Sequence, residues 1–384
     1  MLALALVEQL LFGTMGESAF VTFRYAENIA AGHGAVFDLG EPAVAPANFA
    51  WLVVVTLLKA MFGLDVAASA MVLSIVCVLG CVVLSHRLGG PFGPLAAVLT
   101  TAAAVPAACR LTGTEMGLFV LLLLAVASAL AGGHTVVAGV LAALALMTRP
   151  EGAIPAVLAG IWLAVGAVKR RWSWWAPLGY LLGGFVFVAP WFTWRALSPD
   201  RPLSAAAAVA CGPATYGFLG VTLLSVGSAV LLARRRSAPR PAPRAVTGIV
   251  LAVCTLSLTI SAAAWSGVTH RRARTEEAKE IGSWLAEWLP PGSVIDARGN
   301  AALAYAAGPR LVVADDPAVT RPALVAYTPA RDCAGLPGPY ESATFQRVAT
   351  GAWITVYPRE DVFGSILGRL TADPRLTYAP CPRP

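Results

Sequence analysis

Long apolar runs separated by short polar turns set the pattern of the first two thirds of the chain. They lie at Val66 to Ser85, Phe92 to Cys109, Met116 to Ala131, Ala153 to Val168, Trp174 to Trp194, Tyr216 to Ala233 and Val246 to Gly267. Each approaches the roughly 20 residues that a helix needs to cross the hydrocarbon of a bilayer. Thr135 to Met147 is shorter, but it sits between two good candidates and counts with them. Met1 to Phe12 is also apolar, yet at about 1.5 Å per residue it does not cover a core of about 30 Å. It reads as the end of a clipped first span. A signal peptide is the competing reading, although no Lys or Arg precedes the apolar stretch. The pattern predicts an α-helical multi-pass membrane protein of about nine spans.

Two stretches break it. Gly13 to Asn48 collects Glu17, Arg24, Glu27, His33, Asp38, Glu41 and Asn48 among Phe20, Phe23, Tyr25 and Phe37. It reads as a first loop on one membrane face. From Val268 the apolar runs stop. Thr275 to Leu289 carries a helix-start signal, with Thr275 as N-cap and Glu276 and Glu277 in the first turn. Ile281, Trp284, Leu285 and Trp288 then recur at helical spacing. Strand-like runs follow at Ser293 to Ala297, Arg310 to Ala314, Ala323 to Tyr327 and Trp353 to Tyr357, with a turn at Arg298 to Asn300 and a closing helix near Val362 to Leu370. The expected organisation is a membrane domain over 1–267, with the first loop at 13–48, and a small α/β domain over 268–384, large enough for a modest core.

Composition supports the membrane reading. Hydrophobic residues make up 57% of the 384 and charged residues only 13%, about half the usual charged share, and mean hydropathy is +0.70. The net charge of +7 does not mark a nucleic-acid binder, because the cations gather in short turns. His86 with Arg87, Lys169 to Arg171, and Arg234 to Arg236 with Arg240 and Arg244 follow the positive-inside pattern and are expected on the cytoplasmic face. The same count puts Arg110 to Glu115, Thr148 to Gly152, Arg195 to Pro213 and everything after Gly267 on the outer face.

For the first loop to share that face, Phe49 to Gly63 must not cross. It reads as a half-embedded or juxtamembrane helix over 49–63, with Lys59 reaching the interface on its long stem. A short true span is the competing reading, and it would put cysteines introduced at positions 40 and 65 on opposite faces. Cys77, Cys81, Cys109, Cys211 and Cys254 fall in or beside apolar runs, where a thiol behaves as a small hydrophobe. Cys333 and Cys381 fall in the outer tail, where oxidation is permitted, and are expected to form a disulfide.

Candidate chemistry collects in the first loop, in RLTGTE at Arg110 to Glu115, in TRPEG at Thr148 to Gly152 and in the tail. Ionisable groups at the ends of spans are costly, so function is the first hypothesis for them. Simpler readings stand beside it. Glu115 begins a span, where the helix dipole stabilises it, and Arg149 and Glu151 can pair across Pro150. His33 lies between glycines and is better read as a turn residue. Asp38 and Glu41 are better read as caps of the loop. The tail shows no glycine-rich phosphate fingerprint and no metal-ligand spacing.

SAFVTFRYAENIAAGHGAVFDLGE followed by Asn48, Phe49 and Trp51 resembles the first outer loop of GT-C integral-membrane glycosyltransferases. The likeness is nearest to the branch containing the actinobacterial terminal arabinofuranosyltransferases. It continues through TGTEMGLF at Thr112 to Phe119, TRPEG, and IGSWLAEWLPPGSVI at Ile281 to Ile295. The resemblance implies transfer of a sugar from a polyprenyl-phosphate donor to a cell-envelope glycan or lipid acceptor on the outer face, with membrane lipids around the protein and no cofactor. The displacement it implies is inverting, and metal-independent or weakly metal-dependent. A carboxylate takes the proton of the attacking hydroxyl while cations hold the departing phosphate.

In the family an acidic pair precedes the aromatic run, and here those positions are Glu17 and Ser18. If the family's base corresponds to Ser18, the chain is expected to be inactive; by position, Glu17 is the expected catalytic base and Arg24 and Arg149 are the candidates to bind the donor phosphate. Glu115, Glu151, His33 and Asn48 line the substrate cavity, and there is no metal ligand. Two rivals remain: a catalytically degenerate relative that binds glycan or lipid or supports a partner, and a transporter or lipid flippase. Against the transporter, no span carries an acid at mid-depth and no inverted repeat is present.

Overall fold

The computed structural model describes residues 14–39, 48–197, 219–224, 227–228, 268–287, 291–296, 300–314, 325–328, 343–347, 353–356 and 371–379, with a few isolated positions besides. The chain divides into two compact units. One comprises Met1–Ala35 and Pro42–Arg272, the other Val36–Glu41 and Ala273–Pro384.

The first unit is helical, and the first of its elements with described bounds corrects the sequence reading. Much of the expected loop is a 14-residue helix, α1, Glu17–Ala30. Its inward side carries Phe20, Phe23 and Ala26, each fully buried, at the i, i+3 spacing of a helical stripe. α2, Phe49–Phe62, ends at Gly63, whose φ of 66° suits a left-handed cap and whose N–H bonds the Lys59 carbonyl at 2.8 Å. Asp65 caps α3, Val66–Leu88, with Oδ1 accepting from the Ala68 N–H at 2.7 Å. Then follow α4, Gly93–Leu111; α5, Met116–Ala131; α6, Thr135–Thr148; a 3₁₀ turn, Pro150–Gly152; α7, Ala153–Val168; and α8, Trp175–Leu197.

Among the described residues three helical stretches are long and apolar enough to cross a membrane: Val66–Leu88, Pro150–Val168 and Trp175–Thr193. Phe49–Phe62, Gly90–Ala104, Met116–Ala131 and Thr135–Thr148 are shorter apolar helices. The expected runs Tyr216 to Ala233 and Val246 to Gly267 lie largely or wholly outside the described residues, as does most of Met1 to Phe12.

Lipid gives helices no hydrophobic reason to associate, so close backbone approach through small residues has to do that work. α3 meets α5 where Gly80 lies under Leu121 and Gly117 lies against Cys77 and the Ser74 carbonyl. α6 meets α8 where a Cβ on Gly139 or Gly183 would strike the backbone carbonyl of Tyr180 or Val136. The Tyr180 hydroxyl also donates to the Ala156 carbonyl at 2.8 Å, tying α8 to α7. The packed interior centres on Val78, Cys81, Met116, Phe119, Val120 and Leu124. The outer sides of α7 and α8 remain apolar and exposed, with Ile154, Val157, Val168, Leu181, Phe185 and Val186 all more than half exposed.

The second unit holds a six-stranded mixed sheet in the order β2-β1-β3-β5-β4-β6. The strands are β1 Val294–Asp296, β2 Val312–Ala314, β3 Val325–Thr328, β4 Ala343–Arg347, β5 Trp353–Val356 and β6 Leu376–Tyr378. β1 runs parallel to both β2 and β3, and the remaining pairs are antiparallel. β4 and β6 were not expected. The helix preceding the sheet, α9, spans 268–287, so Thr275 lies in its interior and is not the N-cap. Asn300 caps α10, Ala301–Ala307, by accepting the Leu303 N–H at 3.1 Å. Cys333, Cys381 and most of Val362 to Leu370 lie outside the described residues.

Asp373 fastens β6 to α9. Its buried carboxylate accepts the Trp284 indole N–H at 3.0 Å and the Arg375 guanidinium at 2.8 Å. The Arg375 hydrogen bonds, opposed by burial, bring its pKa down to about 2. A carboxylate depressed in the folded state stabilises above its unfolded pKa near 3.8, and that stabilisation drains as pH falls from about 4 towards 2. Asp373→Asn in the full chain is expected to cost roughly 2 kcal/mol near neutral pH. Hydrogen exchange at 376–378 checks it: wild type should lose protection between about pH 4 and 2, while the variant is less protected throughout.

Candidate functional site

Arg149, Glu115 and Glu151 meet at one end of the helical unit. Arg149 ends α6 in extended backbone, φ −152° and ψ 137°, because Pro150 disfavours a helical residue before it. That break aims the guanidinium across the turn. Nη1 donates to Glu115 Oε1 at 2.8 Å and Nη2 to Glu151 Oε1 at 2.8 Å. The Arg149 side chain is 9% exposed, against 16% for Glu115 and 39% for Glu151. Arg149 and Glu151 therefore do pair across Pro150, but Glu115 is the better-buried partner. The bond to Glu115 joins the turn before α5 to the turn after α6. Those turns therefore lie at the same end of the bundle, as the span count requires.

The turn before α5 is built on Gly113, at φ 77°, whose N–H donates to Ser74 Oγ at 3.0 Å. A Cβ here would meet Phe23, Met15 and Ala19 at 3.2–3.6 Å. Met15 and Ala19 flank Glu17 in sequence, so the start of α1 packs on the turn that presents Glu115. Glu17 is the first residue of α1, after the N-cap Gly16. About two and three turns further along, α1 buries polar side chains: Arg24 at 2% exposure and Asn28 at 0%. Asn28 stands four residues after Arg24, on the same side of the helix, and the sequence reading missed it. Its signal was that i, i+4 spacing, hidden while the stretch counted as a loop.

α2 lies against α1. Asn48 Nδ2 donates to Thr22 Oγ1 at 2.7 Å, and Lys59 pairs with Glu27 at 3.2 Å. Both ends of α2 thus return to α1. At about 1.5 Å per residue its 14 residues cover roughly 21 Å, short of a bilayer core. Its exposed side carries Leu57, Met61 and Phe62. Lys59 serves Glu27.

His33 is exposed, in a turn held between Gly32 at φ 84° and Gly34 at φ 87°, as the turn reading has it. Asp38 is buried in the other unit, where Oδ2 accepts the Val313 N–H at 3.0 Å. That bond occupies the outer edge of β2, an edge strand of the sheet. Glu41 lies outside the described residues. Among the described residues no three His, Cys, Asp or Glu side chains gather as metal ligands.

No protein-family model matches the sequence, and no curated protein matches it. Solved structures do. The chain is similar to ArnT from Cupriavidus metallidurans bound to undecaprenyl phosphate, with a TM-score of 0.55 and 13% identity over 93% of this chain and 96% of that one. It is similar to ArnT in the apo state at a TM-score of 0.53 and 14% identity, with the same coverage. At this identity the likeness is one of fold, and it places the chain among proteins built as ArnT is built.

Proposed function

We propose that the protein is a GT-C-type membrane glycosyltransferase. It moves a sugar from a polyprenyl-phosphate donor to a cell-envelope glycan or lipid acceptor on the outer membrane face, where the α/β unit also lies. The observation that carries this reading is the fold shared along 93% of the chain with a protein solved with undecaprenyl phosphate bound. Arg149, buried between Glu115 and Glu151 at one end of the helical unit, supports it, because polar groups at span ends are costly unless used.

In the proposed reaction Glu17 accepts the proton of the attacking hydroxyl. The hydroxyl oxygen bonds to the anomeric carbon as the bond from that carbon to the phosphate oxygen breaks, with inversion. Polyprenyl phosphate departs with the bonding pair, and Arg24 and Arg149 stabilise its charge. Arg149 already serves two carboxylates, so it takes up phosphate by exchanging one of them. Glu151, the more exposed arm, is the one exchanged. Glu115 then holds the guanidinium in place, and Asn48 holds α1 against α2.

One observation favours a degenerate relative that binds lipid or glycan without turnover: Ser18 stands where the family pattern has a second acid. Incubating membranes containing the full chain with labelled polyprenyl-phosphate sugars and envelope acceptors separates the two. Covalent transfer supports the enzyme; retention of the donor without transfer, across pentosyl and hexosyl donors, supports the degenerate reading. Movement of substrate across the bilayer without transfer would favour a flippase.

A further inference from the structure

The turn between α7 and α8 holds a feature that the proposed reaction does not use. Lys169, Arg170, Arg171, Trp172, Trp174 and Trp175 follow one another, broken only by Ser173, and all are exposed, Trp174 at 64% and Trp175 at 76%. No acidic residue occurs between Glu151 and Asp200, so nothing along this stretch of sequence offsets the three cations.

The turn is tightly built. The Arg171 N–H bonds the Gly166 carbonyl at 2.8 Å and the Arg170 N–H bonds the Ala167 carbonyl at 2.9 Å, the paired bonds of a Schellman ending. The left-handed residue of such an ending is usually glycine, yet here it is Arg170, at φ 52° and the only non-glycine residue with positive φ among the described residues. A side chain kept where glycine is favoured points to a use for that side chain. The Trp172 ring lies over Gly166, where any Cβ would collide with it, and stands 5.4 Å from the Trp162 ring.

The surroundings identify the partner. The exposed apolar sides of α7 and α8 run up to this turn, and their spans are only 22% and 17% buried inside the protein. The tryptophans and cations therefore sit where a lipid-facing surface ends. Indole rings favour the headgroup level, and cations there attract anionic headgroups. We infer that the turn at 169–175 is a binding site for anionic phospholipid headgroups, fixing the α7–α8 hairpin at the membrane surface.

The test uses the full chain, purified and incubated with vesicles of phosphatidylcholine containing a minor fraction of phosphatidylglycerol. The retained lipids are then counted by native mass spectrometry. Wild type should retain phosphatidylglycerol preferentially. The preference should fall roughly thirtyfold in Lys169→Gln/Arg171→Gln and about fivefold in Arg170→Gly. Arg170→Gly should also raise the melting temperature, because glycine relieves the left-handed strain, which separates lost binding from lost folding. Equal retention of both lipids by wild type, or a preference unchanged in the variants, would overturn the inference and leave the cluster to a protein partner or a second copy.

Discussion

Arg149→Gln should destabilise the helical unit by about 3 kcal/mol and remove sugar transfer along with it. Deleting one member of a buried ion pair leaves the other charge without compensation, and such losses run to about 3–5 kcal/mol. Here the lower end applies, because Glu151 is 39% exposed and regains water, while Glu115, at 16%, does not. The damage should therefore concentrate on the bond between the two turns. Arg149→Lys separates charge from geometry: an ammonium keeps the positive charge but lacks the planar fork that meets two carboxylates at once. It should recover most of the stability and little of the transfer. Adding Glu115→Gln to Arg149→Gln should restore roughly half of the lost stability by removing the stranded charge, read as a double-mutant cycle in melting temperature. Equal losses for Arg149→Lys and Arg149→Gln would remove the fork argument.

Gly183→Val should be the most damaging change away from the site. Its missing Cβ is filled by the Val136 carbonyl on α6, and Gly139 faces the Tyr180 carbonyl in the same way. The contact is with backbone, which cannot swing aside as a side-chain end can, so the two helices must separate. Overpacking commonly costs about 1–3 kcal/mol and more where relief is blocked, and about 3 kcal/mol or above is expected here. Gly80→Ala is the milder control, since its Cβ would meet the movable end of Leu121. Thermal unfolding in detergent should rank Gly183→Val well below Gly80→Ala and wild type.

The parts of this architecture that follow from lipid were legible in the sequence. Apolar runs marked α3 to α8 closely, and counting spans placed the Arg110–Glu115 and Thr148–Gly152 turns at one end, where the Arg149 to Glu115 bond now joins them. α1 was less legible because the period test asks for apolar residues, whereas this helix buries Thr22, Arg24 and Asn28 beside Phe20 and Phe23. Thr275 misled in the opposite sense. Its Thr-Glu-Glu start signal is local, while the helix continuing from 268 sets the backbone, and an interior threonine costs only a few tenths of a kcal/mol. β4 and β6 are too short or too polar for alternation to stand out. The role of Asp38 depends on a partner 275 positions away, and nothing in its neighbourhood announces that. The Arg149 pairing was visible only in part: Glu151 is two residues off, but Glu115 is 34 positions away.

The central claim is that a carboxylate at the start of α1 accepts the proton of the incoming hydroxyl. The most direct measurement is single-turnover transfer of labelled sugar from a polyprenyl-phosphate donor by wild type and by Glu17→Gln, with undecaprenyl-phosphate binding and melting temperature measured on the same preparations. The account predicts transfer slowed by about 10²–10⁴ in the variant, with binding and melting temperature unchanged. Transfer at the wild-type rate by Glu17→Gln would contradict it.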